Sequence, residues 1–88
     1  MAEEWGWKQN RPKWKQLYDA LRERIEHGEY APRNAIPSLV QLQGEFGLAI
    51  NTIVKAVERL KQEQFVHSEH GLGTFVRPPE DWAPNDDD

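Results

Sequence analysis

Residues 38–63 contain two amphipathic segments that are separated by only three residues. Ser38 is a natural helix N-cap and Gln41 completes a capping box, which predicts a short helix over about 39–45. In the second segment, "INTIVKAVERLKQE", apolar residues recur at three- and four-residue steps, as on one face of a helix. Residues 47–49, which begin with a glycine, lie between the two. A short helix, a tight turn and a second amphipathic helix make a helix-turn-helix.

The flanking sequence predicts one more helix and a hairpin. A helix is predicted over 13–27, where large apolar residues recur with helical spacing and Gly28 follows as a stop. The loop "EYAPRNAIP" leaves room for a short strand near residues 35–36. Two β-prone runs within 65–77, joined by "EHGLG", predict a hairpin. The predicted fold class is therefore mainly α with a small β wing: a winged helix-turn-helix of three helices and a two-stranded hairpin.

The predicted domain covers residues 13–77, between an N-terminal extension at 1–12 and an acidic, disordered tail at 78–88. Trp5 and Trp7 are conspicuous in the extension. The simpler interpretation is that they pack on the edge of the domain, and the alternative is a dimer contact.

Composition limits the class of protein. The 88 residues suffice for one small domain, and the absence of cysteine excludes disulfides and thiolate chemistry. No apolar run is long enough for a membrane span and no signal peptide is visible, so a cytoplasmic protein is expected. The net charge is −4, yet residues 11–77 hold ten Lys or Arg and eight Asp or Glu, whereas residues 78–88 hold five acids and no base. The middle of the chain is thus mildly basic, which permits contact with phosphates.

Catalytic and metal sites are not predicted. No nucleophile is paired with a base, and Ser38 is better explained as a helix cap. His67 and His70 are three residues apart but have no third ligand nearby in sequence, which disfavours zinc. We therefore expect no enzymatic activity, no metal and no cofactor.

The ordered motifs resemble the winged helix-turn-helix of the GntR family of bacterial transcription regulators. The resemblance runs from about Trp14 to Val76. It rests on Ile36-Pro37-Ser38, the Gly47 turn, Asn51-Thr52 followed by Lys55-Ala56, and the wing "GLGTFV". It implies a homodimer on a palindromic double-stranded DNA operator, with the helix at about 50–63 in the major groove and the 65–77 wing alongside.

The resemblance and the polar side of the second helix together predict the DNA-contacting residues. Ser38 matches a phosphate contact, Asn51 and Thr52 match positions that touch bases or phosphates, and the wing tip approaches the duplex closely. The complete predicted set is Ser38, Asn51, Thr52, Lys55, Arg59, His70, Gly71 and Thr74.

Four apolar residues depart from the family pattern. Leu39 and Val40 stand where an acid and an arginine are common, and Ile50 and Val54 stand where arginines are common. Three interpretations are open for Ile50 and Val54: packing towards the preceding helix, contact with thymine methyl groups, or, together with Leu39 and Val40, a patch for a protein partner. The predicted function is a sequence-specific DNA-binding transcriptional regulator, and the alternative is a protein-interaction module with weakened or lost DNA binding.

Overall fold

The computed structural model describes residues 6–82, in which three helices are followed by a two-stranded hairpin. Its elements are α1 (Lys13–Glu26), α2 (Leu39–Phe46), α3 (Ile50–Gln62), β1 (Val66–Glu69) and β2 (Gly73–Val76). The predicted winged helix-turn-helix is confirmed, and each helix ends within one residue of its predicted limits. Trp5, and the part of the predicted tail after residue 82, lie outside the described residues.

The three helices share one hydrophobic core. The apolar stripe of α1 is buried, as its spacing predicts, and it packs against α3 with α2 closing the core beside them. Ile36 and the base of the hairpin complete the core. The most deeply buried side chains, each at most 2% exposed, are Leu17, Tyr18, Leu21, Ile25, Leu42, Phe46, Ile53, Ala56, Leu60, Phe65, Val66 and Val76.

Helix caps that the sequence predicts stabilise the helix-turn-helix. The Oγ atom of Ser38 accepts a hydrogen bond from the backbone N–H of Gln41 at 3.1 Å. The Oε1 atom of Gln41 accepts in return from the backbone N–H of Ser38 at 2.8 Å, so the predicted capping box is confirmed. Gly47 ends α2 with φ of 69°, which glycine adopts without steric cost. Leu48 is buried in the turn and anchors it to the core.

The hairpin is antiparallel and is tied to the loop that precedes α2. Its register pairs Val66 with Val76 and Glu69 with Gly73. Ala35 forms an isolated bridge with Phe75, so the short strand predicted near residues 35–36 is reduced to a single bridge. These contacts place the turn of the wing near the start of α2.

The folded part of the chain extends further at its C-terminus than the sequence predicts. Residues Pro79–Asp81 form a 3-10 turn, and the Trp82 ring lies 5.1 Å from the Phe65 ring. The indole Nε1 of Trp82 donates to the carbonyl oxygen of Arg77 at 2.9 Å. The predicted start of a disordered tail at residue 78 is therefore wrong for residues 78–82, because an aromatic side chain returns to the core.

At the N-terminus, the simpler interpretation of Trp7 is confirmed. Its ring lies 6.2 Å from the ring of Phe46, at the edge of the domain. The half-buried Trp7 side chain thereby covers the end of α2.

The end of α3 has an unfavourable backbone conformation that can be relieved. Gln64 has φ of 67°, and its N–H bonds to the carbonyl of Lys61 while the N–H of Phe65 bonds to the carbonyl of Leu60. This is a complete Schellman motif, in which glycine is the preferred residue at the position of Gln64. Gly28 occupies the corresponding position after α1 with φ of 84°.

We expect Gln64→Gly to raise the free energy of unfolding by about 1 kcal/mol, because a side chain in the left-handed region is strained. Urea denaturation followed by circular dichroism measures the change. Gln64→Ala is the matched control, since it keeps the Cβ atom and the strain. A Gln64→Gly variant no more stable than Gln64→Ala would show that this conformation carries no cost.

A polar network joins the end of α3 to the middle of α1. The hydroxyl of Tyr18 donates to Glu63, and Arg22 donates to the Tyr18 oxygen at 3.2 Å. Burial, followed by the Glu63 contact, raises the pKa of Tyr18 to about 12, so the phenol stays protonated at neutral pH. Burial opposes ionisation of Glu63, but hydrogen bonds from Tyr18 and Arg59 outweigh it and hold the pKa of Glu63 below its ordinary value.

We expect Tyr18→Phe to lower the free energy of unfolding by about 1.5–3 kcal/mol at neutral pH, because a hydrogen bond to a charged group is lost. A lowered folded-state pKa of Glu63 stabilises the fold above its unfolded pKa, and that stabilisation disappears as the pH falls through the folded pKa. The difference between wild type and Tyr18→Phe should therefore shrink in acid. Urea titrations at neutral and acidic pH measure it, and a difference independent of pH would contradict the assignment.

Candidate nucleic-acid interface

The first turn of α2 exposes a hydroxyl and two apolar side chains. Ser38, Leu39 and Val40 are all exposed, with Val40 at 72%. The hydroxyl of Ser38 accepts the capping bond, yet its own proton can still be donated to a second acceptor. The start of a helix also carries a partial positive charge, and no acid lies in the first turn. These features suit a phosphate oxygen at Ser38.

The first turn of α3 is uncharged and partly apolar on its accessible side. Asn51 is exposed, Thr52 is half-buried and Ile50 is 38% exposed. The buried residue of this turn is Ile53, which points into the core. Ala49 caps the helix without a side-chain hydrogen bond. The accessible amide of Asn51 is therefore the main polar group that this turn offers to a ligand.

Two cations that sequence reasoning placed on the polar side of α3 lean towards α1. The Lys55 ammonium lies 5.0 Å from the centroid of the Trp14 ring. Arg59 lies over the rings of Trp14 and Tyr18, and its Nε donates to Glu63 at 2.8 Å. The structure thus gives Arg59 a role in the α1–α3 contact. Glu63 lies four residues after Arg59, so the sequence signalled this ion pair but not the contact with α1.

The wing tip combines an open turn with an exposed apolar side chain. His70 and Gly71 are exposed, and Gly71 has φ of 79°. Thr74 is half-buried, and its carbonyl accepts from the N–H of Ile36 at 2.9 Å. The backbone of Thr74 therefore joins the wing to the loop before α2. Leu72 is 74% exposed at the turn. Sequence reasoning did not select Leu72, although an apolar residue between two turn glycines was the available signal.

A groove of about 400 Å³ lies between the wing and the start of α2. Ser38 and Leu39 lie on one wall, and Leu72, Gly73 and Thr74 lie on the other. The predicted phosphate contact and the predicted wing contact therefore share one side of the molecule.

The four apolar residues that depart from the family pattern do not share one environment. Leu39, Val40 and Ile50 are exposed, whereas Val54 is half-buried. Packing within the protein therefore covers part of Val54 and leaves much of Ile50 accessible. Val40 is the most exposed of the four, at 72%.

Two cations of α1 are engaged within the protein. Lys15 pairs with Asp19 at 3.2 Å. Arg22 pairs with Glu26 at 3.0 Å and lies 5.0 Å from the Phe65 ring. These contacts reduce the positive charge that α1 can offer to phosphates.

The fold and this arrangement of helices and wing define the winged helix-turn-helix class. Residues 13–76 match the sequence profile of the bacterial regulatory proteins of the gntR family. The chain belongs to the gntR family.

Two curated relatives are bacterial repressors. The mannosyl-D-glycerate transport/metabolism system repressor MngR of Escherichia coli is 37% identical over 68 residues, which are 77% of this chain and 28% of MngR. The histidine utilization repressor of Klebsiella aerogenes is 34% identical over 68 residues, with the same coverage of 77% and 28%. The chain therefore spans little more than a quarter of the length of these relatives.

Among solved structures, the DNA-binding domain of AraR in complex with operator ORE1 is 33% identical and has a TM-score of 0.72. The similarity covers 75% of this chain and 80% of that domain.

Within residues 6–82, none of the helices has the length and apolar character needed to cross a membrane.

Proposed function

We propose that this protein binds a double-stranded DNA operator and regulates transcription. In this proposal α3 lies in the major groove and the wing follows the adjacent backbone. The observation that carries it is the exposed Asn51 amide at the start of α3, in a chain 33% identical to a domain solved with its operator. The side-chain amide of asparagine can pair in two places with the major-groove edge of adenine.

The proposed contacts divide into two groups by chemistry. Asn51, with Thr52 beside it, reads base edges, because both lie at the end of α3 that enters the groove. Ser38, Lys55 and the wing tip at His70 and Gly71 contact the phosphate backbone and set the register. Arg59 and Thr74 stabilise this surface within the protein. Arg59 donates to Glu63, and the carbonyl of Thr74 accepts from the N–H of Ile36.

DNA binding by this chain is expected to be weak for its class. No cation occupies the position of Val40, Ile50 or Val54, so fewer counterions are released on binding. The slope of log K against log salt falls by about 0.9 for each phosphate contact that is missing. A shallow salt dependence follows.

The proposed assembly is a homodimer in the bacterial cytoplasm, with two copies of α3 in successive major grooves of a palindromic site. Half-sites about 10 base pairs apart then face the same side of the duplex. Two domains bound together also compensate for the small number of cations in each.

A protein-interaction role is the rival function, motivated by the exposed Leu39, Val40 and Ile50. Family membership favours DNA. Binding measurements with DNA decide between the two functions without knowledge of any protein partner.

The test is selection of duplexes from a random-sequence library by the 88-residue chain at low salt. We expect one enriched sequence, and fluorescence anisotropy should show that its affinity falls as salt is raised. A scrambled duplex of equal length is the control for specificity. Failure to enrich or bind any duplex at low salt would overturn the proposal and leave the interaction role.

A further inference from the structure

The exposed large apolar side chains of residues 6–82 are confined to the side of the molecule that is proposed to face DNA. They are Leu39 and Val40 at the start of α2, Ile50 at the start of α3, and Leu72 at the wing tip. On α1 the large apolar side chains are buried or half-buried. An apolar surface at this place suits a DNA group that is itself apolar.

Ile50 and Val54 lie directly beside Asn51 on the surface of α3. At about 100° per residue, Val54 falls between Ile50 and Asn51, and the three occupy an arc of about 100°. Ile50 is 38% exposed and Val54 is half-buried, whereas Ile53 in the same turn is fully buried. Ile53 faces the core and is covered completely. Ile50 lies on another side of the same turn, and its partial exposure follows from that position.

Two-point readout of guanine by a cation is not available from the first turn of α3. Its residues are Ile50, Asn51, Thr52 and Ile53, and none is a cation. The nearest cation along the helix, Lys55, lies 5.0 Å from the Trp14 ring. Arginine and lysine are the side chains that pair with the two guanine acceptors in the major groove.

We propose that Ile50 and Val54 recognise the C5-methyl groups of thymines that lie next to an adenine read by Asn51. The thymine methyl is the apolar group that base pairs present in the major groove, and apolar side chains read it by contact. The operator half-site then has adjacent A·T and T·A pairs opposite the start of α3. This inference rests on the proposed function and adds to it the identity of the bases.

Deoxyuridine substitution tests the methyl contact alone, because deoxyuridine pairs like thymidine and lacks only that methyl. Each thymidine of the selected duplex is replaced in turn, and binding is measured by fluorescence anisotropy. We expect about a fourfold loss of affinity at one or two positions, the effect of burying roughly one methyl-sized group. Ile50→Ala should bind the thymidine and deoxyuridine duplexes with nearly equal affinity at one of those positions.

Gln62→Ala is the control, because Gln62 is exposed on the same helix but lies at its opposite end. It should retain the sensitivity to deoxyuridine. Full affinity for every deoxyuridine duplex, or a selected half-site of G·C pairs, would overturn the methyl inference while the proposed function stands. Absence of any duplex binding would overturn both.

Discussion

Asn51→Ala should weaken binding of the selected duplex by about five- to 140-fold. Asn51 is the exposed amide of the first turn of α3, and no cation in that turn can replace its contact with a base. A good two-point contact with a base edge contributes about 1–3 kcal/mol of discrimination, which corresponds to this range of affinity. Fluorescence anisotropy with the selected duplex and with a scrambled duplex measures the loss, which should be larger for the selected sequence.

Gln62→Ala is the matched control for Asn51→Ala. Gln62 is also an exposed amide on α3, but it lies at the opposite end of the helix. It should leave affinity within about twofold of wild type, because it lies outside the end of the helix that enters the groove. Equal losses for the two variants, or a loss at Gln62 alone, would show that the start of α3 is not the reading end.

Phe65→Ala should lower the free energy of unfolding by about 3–5 kcal/mol, a large part of the stability of a small domain. Phe65 is 1% exposed and follows the end of α3. The Trp82 ring packs on it at 5.1 Å, and the Arg22 guanidinium lies 5.0 Å from its ring. Its carbonyl also accepts from the N–H of Arg77. The side chain therefore joins α1, the end of α3 and the C-terminal turn, while the backbone of the same residue bonds to the segment after the wing.

Urea denaturation of Phe65→Ala and Phe65→Leu measures this contribution. Phe65→Leu fills most of the volume and loses only the aromatic contacts, so it should cost about 1–2 kcal/mol. A Phe65→Ala variant as stable as Phe65→Leu would mean that the site collapses around the smaller side chain and that Phe65 does not join these elements.

Most of the fold follows from local sequence signals. The stripe of α1 has helical spacing along one face, and the capping box at Ser38 and Gln41 marks the start of α2 within one residue. The Gly47 turn fixes the distance between α2 and α3. These features are readable because each depends on residues within one or two helical turns of each other.

The features that sequence did not reveal depend on contacts between distant residues. Trp82 packs on Phe65, 17 positions earlier, and its neighbours are acids and prolines typical of a tail. Arg59 leans over Trp14 and Tyr18 because α1 and α3 cross at that place. Neither contact produces a periodic pattern in the sequence.

The sequence predicts the positions of the candidate site, and the structure adds the exposure of each side chain. Ser38, Asn51, His70 and Gly71 are exposed as a DNA-contacting role requires. The exposure of Ile50 could not be read from helical spacing, and the sequence left three interpretations open for it.

Amide chemical shifts of the 88-residue chain, titrated with the selected duplex at two salt concentrations, test the central claim most directly. The claim is that the starts of α2 and α3 and the wing tip bind DNA. The predicted result is salt-sensitive shifts concentrated at Ser38, Asn51, Thr52 and Gly71, with small changes along the exposed face of α1. Shifts concentrated on α1, with none at Asn51 or Gly71, would contradict the account.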